Sequence, residues 1–349
     1  MKKNAVSLFA GCGGLCKGGK KAGFKIVTAN DIDEQNTDTY AQNFPDTRVL
    51  TADIKTLGAA DLNPDGHHID IVFGGSPCQS FSVIGKQDPD DPRGKLPFEF
   101  ARIVSELDAD YFLLENVEGM TKNHGLDVLE ELAAIFSFNG YGVVPWQVLD
   151  ASDYGVPQRR RRLFLMGYKL GLTAPVYPPA IAVRKTCRDA IGDLEDRAYA
   201  KTIRGHELTR HSPDVVRRFW DCKPGTIEKD SRFPKLDPDG QAPTLRAGTR
   251  SQGRDEDGNV TGGRHTPVRP IHYDYPRVLT TAELARIHGY DDEHIFAESK
   301  AQAAYQIGNS VPPPLAYAVL RMYAIAINKN WQKGLYKKTA PNRKYETVA

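Results

Sequence analysis

The sequence predicts an α/β fold, Rossmann-like with a parallel sheet, joined to a second, smaller and irregular domain. Three observations carry that expectation. Short apolar runs rich in β-branched residues alternate with helical stretches through the first half of the chain, the pattern of a parallel sheet covered by helices. A glycine-rich turn, Gly11-Cys12-Gly13-Gly14, directly follows the first of those runs, where a strand can bring its backbone close to a ligand. From Pro175 the periodicity fades, and Pro, Gly, Arg and Asp dominate to Tyr275.

Residues 5–9 form the first expected strand, and a helical stretch runs through Lys21. Cys16 stands where the third glycine of a dinucleotide fingerprint would fall, which disfavours NAD. Residues 25–29 form the second strand, with Asp31 at its end. An acidic side chain there can accept from ribose hydroxyls; the alternative is a helix N-cap serving Glu34 onward. Residues 49–52 make a third short strand, followed by Asp53 and Ile54. Residues 69–73 make a buried strand broken by Gly74, Gly75 and Pro77, which leaves Cys78 on a loop past the strand's carboxyl end. Open α/β sheets bind ligands at that edge. A lone cysteine is usually a small core residue, but a loop of Gly, Ser, Pro and Gln is a poor burial site.

A polar loop over residues 83–97 is long enough to be functional or disordered. A helix over 98–107 and a strand over 111–114 then deliver Glu115-Asn116-Val117. A helix over 126–138 and strands over 146–149 and 163–167 complete a sheet expected to be parallel. Helical spacing resumes over 281–289, and a final helix over 315–327 returns to the first domain. The expected boundaries are 1–172 for the first domain, completed by 301–327, then 173–300 for the smaller one and 328–349 for a basic, poorly ordered tail.

Composition narrows the class. A chain of 349 residues is comfortable for two domains, and 40% hydrophobic with 26% charged residues is ordinary for a soluble globular protein. No apolar run reaches membrane-spanning length, and Met1-Lys2-Lys3-Asn4 leads into a strand rather than a signal peptide. The five cysteines lack the spacing of a zinc site or a disulfide framework, so no metal and a reducing, intracellular setting are expected. Net charge is −10 over residues 1–157, +5 over 158–299 and +7 over 300–349. That asymmetry points to a polyanion docking on the later part.

Six blocks occur in a fixed order: Phe9-Ala10-Gly11-Cys12-Gly13-Gly14, Pro77-Cys78-Gln79, Glu115-Asn116-Val117, Gln158-Arg159-Arg160-Arg161-Arg162, Arg277-Val278-Leu279-Thr280 and Gly308-Asn309-Ser310-Val311. With them the chain resembles the DNA (cytosine-5)-methyltransferases of bacterial restriction–modification systems. The resemblance implies an S-adenosylmethionine-dependent methyltransferase fold with a DNA-recognition domain, and S-adenosylhomocysteine as product. It implies cofactor contacts from Phe9, Gly11, Gly13, Gly14, Asp31, Ile32, Asp53, Ile54, Pro77, Leu96, Asn309, Ser310 and Val311. Phe9 and Ile32 would lie against the adenine and Asp53 at its amino group. Two departures stand out: Lys17 and Gly19 replace a usual apolar residue and aromatic, and Thr281-Ala282-Glu283 lacks a usual arginine.

The implied chemistry assigns Cys78 as nucleophile at cytosine C6, which makes C5 an enamine carbon able to take a methyl group. Glu115 would protonate N3 and read the 4-amino group. Arg160 and Arg162, two apart and so on one face of a strand, would hold the base's O2, the adjacent phosphate or Glu115. A base inside a duplex must be flipped out to be reached. Gln79, Ser82, Ile84 and Arg93 are the expected DNA contacts beside the nucleophile, with Ile84 entering the vacated space. Two loops, 244–250 and 262–269, are the expected contacts of the smaller domain, and Arg246 and Arg250 in the first are the expected readers of base edges. The expected partner is double-stranded DNA, with no membrane, a monomeric chain, a cytoplasmic location at the nucleoid and a restriction endonuclease of the same specificity. The rival readings are an RNA cytosine methyltransferase of the same fold, which would not need a large segment over 175–275, a dinucleotide-dependent oxidoreductase, and a non-catalytic DNA-binding relative.

Overall fold

The computed structural model describes residues 3–77, 95–195, 202–250, 253–254, 260–261 and 265–335. The chain divides into two compact units, Met1–Leu149 with Arg161–Pro179 and Ala316–Ala349, and Asp150–Arg160 with Ala180–Leu315. The fold is mixed α/β.

The first unit contains strands β1 (Lys3–Leu8), β2 (Phe24–Asp31), β3 (Arg48–Thr51), β4 (Ile71–Gly75), β5 (Tyr111–Val117), β6 (Tyr141–Asp150) and β7 (Arg161–Lys169). Its helices are α1 (Gly14–Lys21), α2 (Glu34–Asn43), α3 (Ala59–Leu62), α4 (Leu96–Glu106) and α5 (His124–Phe138). Among the described residues the seven strands lie in the order β3-β2-β1-β4-β5-β7-β6. From β3 to β5 every neighbouring pair is parallel. β7 lies antiparallel on β5, from Tyr111 opposite Tyr168 to Val117 opposite Arg162. The sheet is therefore mixed rather than wholly parallel as expected. Only residues 151–160 separate β6 from β7, fewer than a helical crossover between parallel neighbours needs.

Burial on both faces explains the apolar runs. Val6, Leu8, Val72, Phe112 and Leu165 are wholly buried, as in a sheet covered on two sides. The Phe112 and Phe136 rings stack with centroids 3.6 Å apart, so α5 is fastened to β5 by aromatic contact. The missing aromatic at Gly19 also has a structural answer. A Cβ there would lie 3.3 Å from Phe73 and 3.4 Å from Leu320, so the space behind α1 is filled from β4 and from the C-terminal helix.

β4 and β5 run further than the apolar runs predict, to Gly75 and Val117. Glu115 and Asn116 are thus within a strand rather than beyond one. The chain builds β2 and β3 on one side of β1, then crosses to β4 and β5 on the other. The carboxyl ends of β1 and β4 therefore flank the topological switch point, where such sheets hold ligands.

The second unit contains α6 (Cys187–Ile191), α7 (Pro213–Asp221), α8 (Thr281–Ile287) and α9 (Lys300–Asn309), with strands β8 (Arg246–Arg250), β9 (Gly253–Arg254), β10 (Val260–Thr261) and β11 (His265–Val268). β8 pairs with β11 and β9 with β10, both antiparallel. One of its apolar clusters is small: Phe219, Ile271 and Val278, with Val215 and Phe233 against them. Polar groups also fasten this unit. Thr280 and Glu283 cap α8 reciprocally, and Arg277 holds the buried Glu283 with both Nη atoms, at 2.7 and 2.8 Å. α7 lies in the stretch 175–275 that reads as irregular in the sequence, and α9 falls where no helix is expected.

The last helix, α10, spans Pro313–Gln332 and continues past residue 327, where a tail was expected. The reason is Asn330, wholly buried, whose side chain accepts from Thr173 N at 2.8 Å and meets Tyr111 Oη at 2.5 Å. No helix among the described residues is long and apolar enough to cross a membrane.

Candidate active site

The loop after β1 is built for close approach. Phe9 has φ +53° and Gly11 φ +55°. A bulky residue in the left-handed region is a local strain of the kind kept at functional sites. A Cβ at Gly11 would meet nothing within 4 Å, so the loop faces open space there. Gly13, at φ +94°, precedes Gly14 as the N-cap of α1, and a Cβ on it would run into the Phe44 ring. The loop is tied down by Ala10 N to Asn30 O at 2.9 Å and by Gly11 N to Asp31 Oδ2 at 2.8 Å.

Asp31 closes β2. Its other oxygen accepts from Asp33 N at 3.0 Å and Asn36 Nδ2 at 3.4 Å. Burial pushes its pKa up, against the lowering by the Asp33 and Gly11 amides and Asn36. The helix N-cap is Asp33, not Asp31, so the capping alternative for Asp31 does not hold. Beside it Ile32 is 68% exposed, an apolar side chain held out at the strand end. Asp53 caps the turn that follows β3, accepting from Lys55 N at 3.1 Å, and Ile54 is buried beneath it. Leu96, half-buried, opens α4. A strained aromatic, open glycine, anchored carboxylate and exposed apolar side chain at one sheet edge fit a nucleoside with a charged arm.

At the ends of β4 and β5 the geometry is tighter. Gly75 stands opposite Glu115 in the parallel register. A Cβ on Gly75 would lie 2.7 Å from Glu115 Oε2, so glycine makes the room that the carboxylate occupies. Glu115 is 7% exposed, and Arg162 Nε reaches its Oε1 at 3.0 Å from β7. Asn116 donates to Ser76 Oγ at 3.1 Å and Ser76 O at 3.3 Å. It therefore fixes the residues leading through Pro77 to position 78. Cys78, Gln79, Ser82, Ile84 and Arg93 lie outside the described residues.

Arg160 differs from the expectation. β7 begins at Arg161, and Arg160, 1% exposed, belongs to the second unit. Its guanidinium donates to three backbone carbonyls: Leu245 at 3.0 Å, Gly308 at 2.7 Å and Ser310 at 3.0 Å. The shared strand face expected for Arg160 and Arg162 is thus corrected, because the strand starts one residue later. Asn309 is exposed, Ser310 half-buried and Val311 buried, all in the second unit. Arg246 is exposed at the start of β8, and Arg250 pairs with His265 through the backbone; the side chain of Arg250 is outside the described part.

Sequence reasoning assigned no structural role to Asn116, Gly75, Gln158 or His288. The signal for Gly75 was available only through strand register, and that for Gln158 only through contacts far along the chain. Elsewhere, an open cleft of about 740 Å³ in the second unit holds none of the expected site residues. Its Arg286 is paired with Asp193 at 2.6 Å and Asp292 at 2.5 Å.

Comparison with known proteins places this geometry. The family described as C-5 cytosine-specific DNA methylase matches residues 3–324. The chain is 38% identical to the Type II methyltransferase M.XorII of Xanthomonas oryzae pv. oryzae, over 94% of this chain and 86% of that one. It is 33% identical to M1.HphI of Haemophilus parahaemolyticus, over 91% and 86%. Among solved structures, one described as a DNA modification methyltransferase of an E. coli prophage superposes with TM-score 0.79 at 30% identity, covering 94% of this chain and all of the other. The DNMT2 of Spodoptera frugiperda, at 20% identity and TM-score 0.64 over 92% and 99%, shares the fold.

Proposed function

The chain belongs to the C-5 cytosine-specific DNA methylase family, and from that premise we propose that it methylates C5 of a flipped-out cytosine in one specific double-stranded DNA sequence, through a covalent bond from Cys78 to C6. The observation that carries this reading is the buried Glu115–Arg162 pair at 3.0 Å, one strand from the Gly75-Ser76-Pro77 segment that leads into Cys78.

The thiolate of Cys78 adds to C6, and the ring electrons move toward N3. Glu115, as the acid, donates its proton to N3 and accepts from the 4-amino group, so the negative charge never accumulates on the base. Arg162 keeps the Glu115 carboxyl turned toward the ring and can reach O2. Asn116, by bonding Ser76, limits where the nucleophile's loop can start. Once C5 is methylated, its proton passes to solvent water, the C5–H electrons re-form the C5–C6 double bond, the Cys78–C6 bond breaks to return the thiolate, and N3 gives its proton back to Glu115.

The cofactor would be held by Phe9 and Ile32 against the adenine, Asp31 on the ribose and Asp53 at the amino group. Gly11, Gly13, Gly14, Ile54, Pro77, Leu96, Asn309, Ser310 and Val311 would complete its contacts. S-adenosylmethionine, when bound there, supplies an electrophilic methyl on a sulfonium. The segment 173–300 would carry sequence recognition, with Arg246 and Arg250 as readers, and a nuclease of the same specificity would be the natural counterpart.

The test has two parts. Sequencing the methylated positions in DNA from cells expressing the chain identifies the site. A duplex carrying 5-fluorocytosine at that site should then trap the native protein covalently and leave Cys78→Ser free. Trapping of Cys78→Ser would refute the assignment.

A further inference from the structure

The strand proposed to read DNA begins at Arg246, and both backbone groups of the residue before it are gripped by side chains. Leu245 N donates to Gln158 Oε1 at 3.0 Å, and its carbonyl accepts from Arg160 at 3.0 Å. Gln158 is wholly buried, and its Nε2 lies 3.0 Å from Nδ1 of the equally buried His288. The Nε2 of His288 lies 3.0 Å from the Ser310 carbonyl.

The two ends fix the direction of this relay. A carbonyl only accepts, so His288 Nε2 carries the proton and its Nδ1 accepts. A backbone N–H only donates, so Gln158 turns its oxygen to Leu245 and its NH2 to His288. Each link has one allowed polarity, and both side chains are neutral. Nearby bonds reinforce the junction: Ala242 N to Pro157 O at 2.9 Å, Arg159 N to Ala242 O at 2.9 Å and Thr244 Oγ1 to Arg159 O at 2.7 Å. A Cβ on Gly308 would lie 2.5 Å from Ala247 N, so β8 leaves the end of α9 in van der Waals contact with it.

We propose that Gln158 and His288 are positioning residues for sequence recognition: their relay sets the register and direction in which β8 departs from the 308–310 turn, and so aims Arg246 at its base. The inference rests on the reading above that residues 246–250 contact base edges. Bidentate recognition tolerates displacements of only about 0.5 Å, so a slack root costs discrimination between sites before it costs chemistry at Glu115.

Gln158→Leu cuts both links but risks misfolding, so Gln158→Glu is the sharper variant. Its carboxylate still accepts from Leu245 but has nothing to donate to His288. The link re-forms when this pair takes one further proton, on the new carboxyl or on His288 Nδ1, with the Arg160 guanidinium as the neighbouring cation and the Tyr290 ring 6.0 Å away. Single-turnover methylation would be measured on the cognate duplex and on duplexes with one base pair changed, at about pH 6 and about pH 8. For Gln158→Glu, the cognate to near-cognate ratio should fall about tenfold below native at the higher pH and recover at the lower. The cognate rate at saturating enzyme should fall by less. A native ratio at both pH values, or an equal fall on every duplex, overturns the proposal. Arg246→Ala separates the layers. If it alters discrimination and Gln158→Glu does not, the relay fails while the reading stands; if neither does, both fall.

Discussion

Arg160 and Arg162 stand two residues apart in a run of four arginines, yet they meet different acceptors. Arg162 points at a carboxylate, Glu115, at the end of a parallel strand. Arg160 points at three backbone carbonyls and is more deeply buried. A guanidinium facing a titratable acid can tune and orient a proton donor. One facing only carbonyls has no chemistry to tune, and its work is to close a junction. The difference lies in the partner, not in the arginine.

That contrast breaks most readily at Glu115. Glu115→Gln should lower single-turnover methylation about 10²–10⁴-fold, with thermal melting little changed; a near-native rate would remove the acid role. Next, Arg160→Leu should destabilise the protein by about 3 kcal/mol or more, because two buried carbonyls and one half-buried carbonyl lose a charged donor. Arg162→Leu should act chiefly on the rate. Denaturant melts of the two variants read side by side test this, and equal loss of stability would erase the distinction.

Acidity should act on the second unit by a third route. Burial pushes the His272 pKa down from 6.5 to about 4, helped by Arg277, His206 and Lys235 and opposed by Glu283. Its Nδ1 accepts from Asp274 N at 3.1 Å and Tyr275 N at 3.3 Å, which requires the neutral ring. Because the folded pKa is below the unfolded one, this stability is whole above about pH 6.5 and drains as pH falls toward 4, by up to about 3 kcal/mol. His206 and His211 are lowered too, each chiefly by desolvation, and act with the same sign. Melts between pH 7.5 and 5 should show the slope, and His272→Asn, which can still accept from the turn, should flatten it.

The smallest expected effect is at Gly75. Gly75→Ala places a methyl 2.7 Å from Glu115 Oε2. It should cost about 1–3 kcal/mol of stability if the carboxylate cannot move. Should the carboxylate yield instead, stability is spared and methylation slows. Unchanged stability together with an unchanged rate would show that Glu115 tolerates displacement.

Local sequence by itself determined the strands of the first unit, the glycine turn after β1, Asp31 at a strand end, Glu115 near the end of the strand next to β4 and, through its ordered blocks, the family. Those features rest on runs and spacings within a few residues, where backbone sterics and hydrophobic period decide the outcome. The antiparallel placement of β7, the separate duties of Arg160 and Arg162, the space that Gly75 leaves for Glu115 and the Gln158–His288 relay were decided only in three dimensions. Each depends on which groups meet across a strand pair or across more than a hundred residues. Gln158 reads as one more polar residue until Leu245 and His288 are brought to it, because hydrogen-bond direction is a property of the pair and not of the residue.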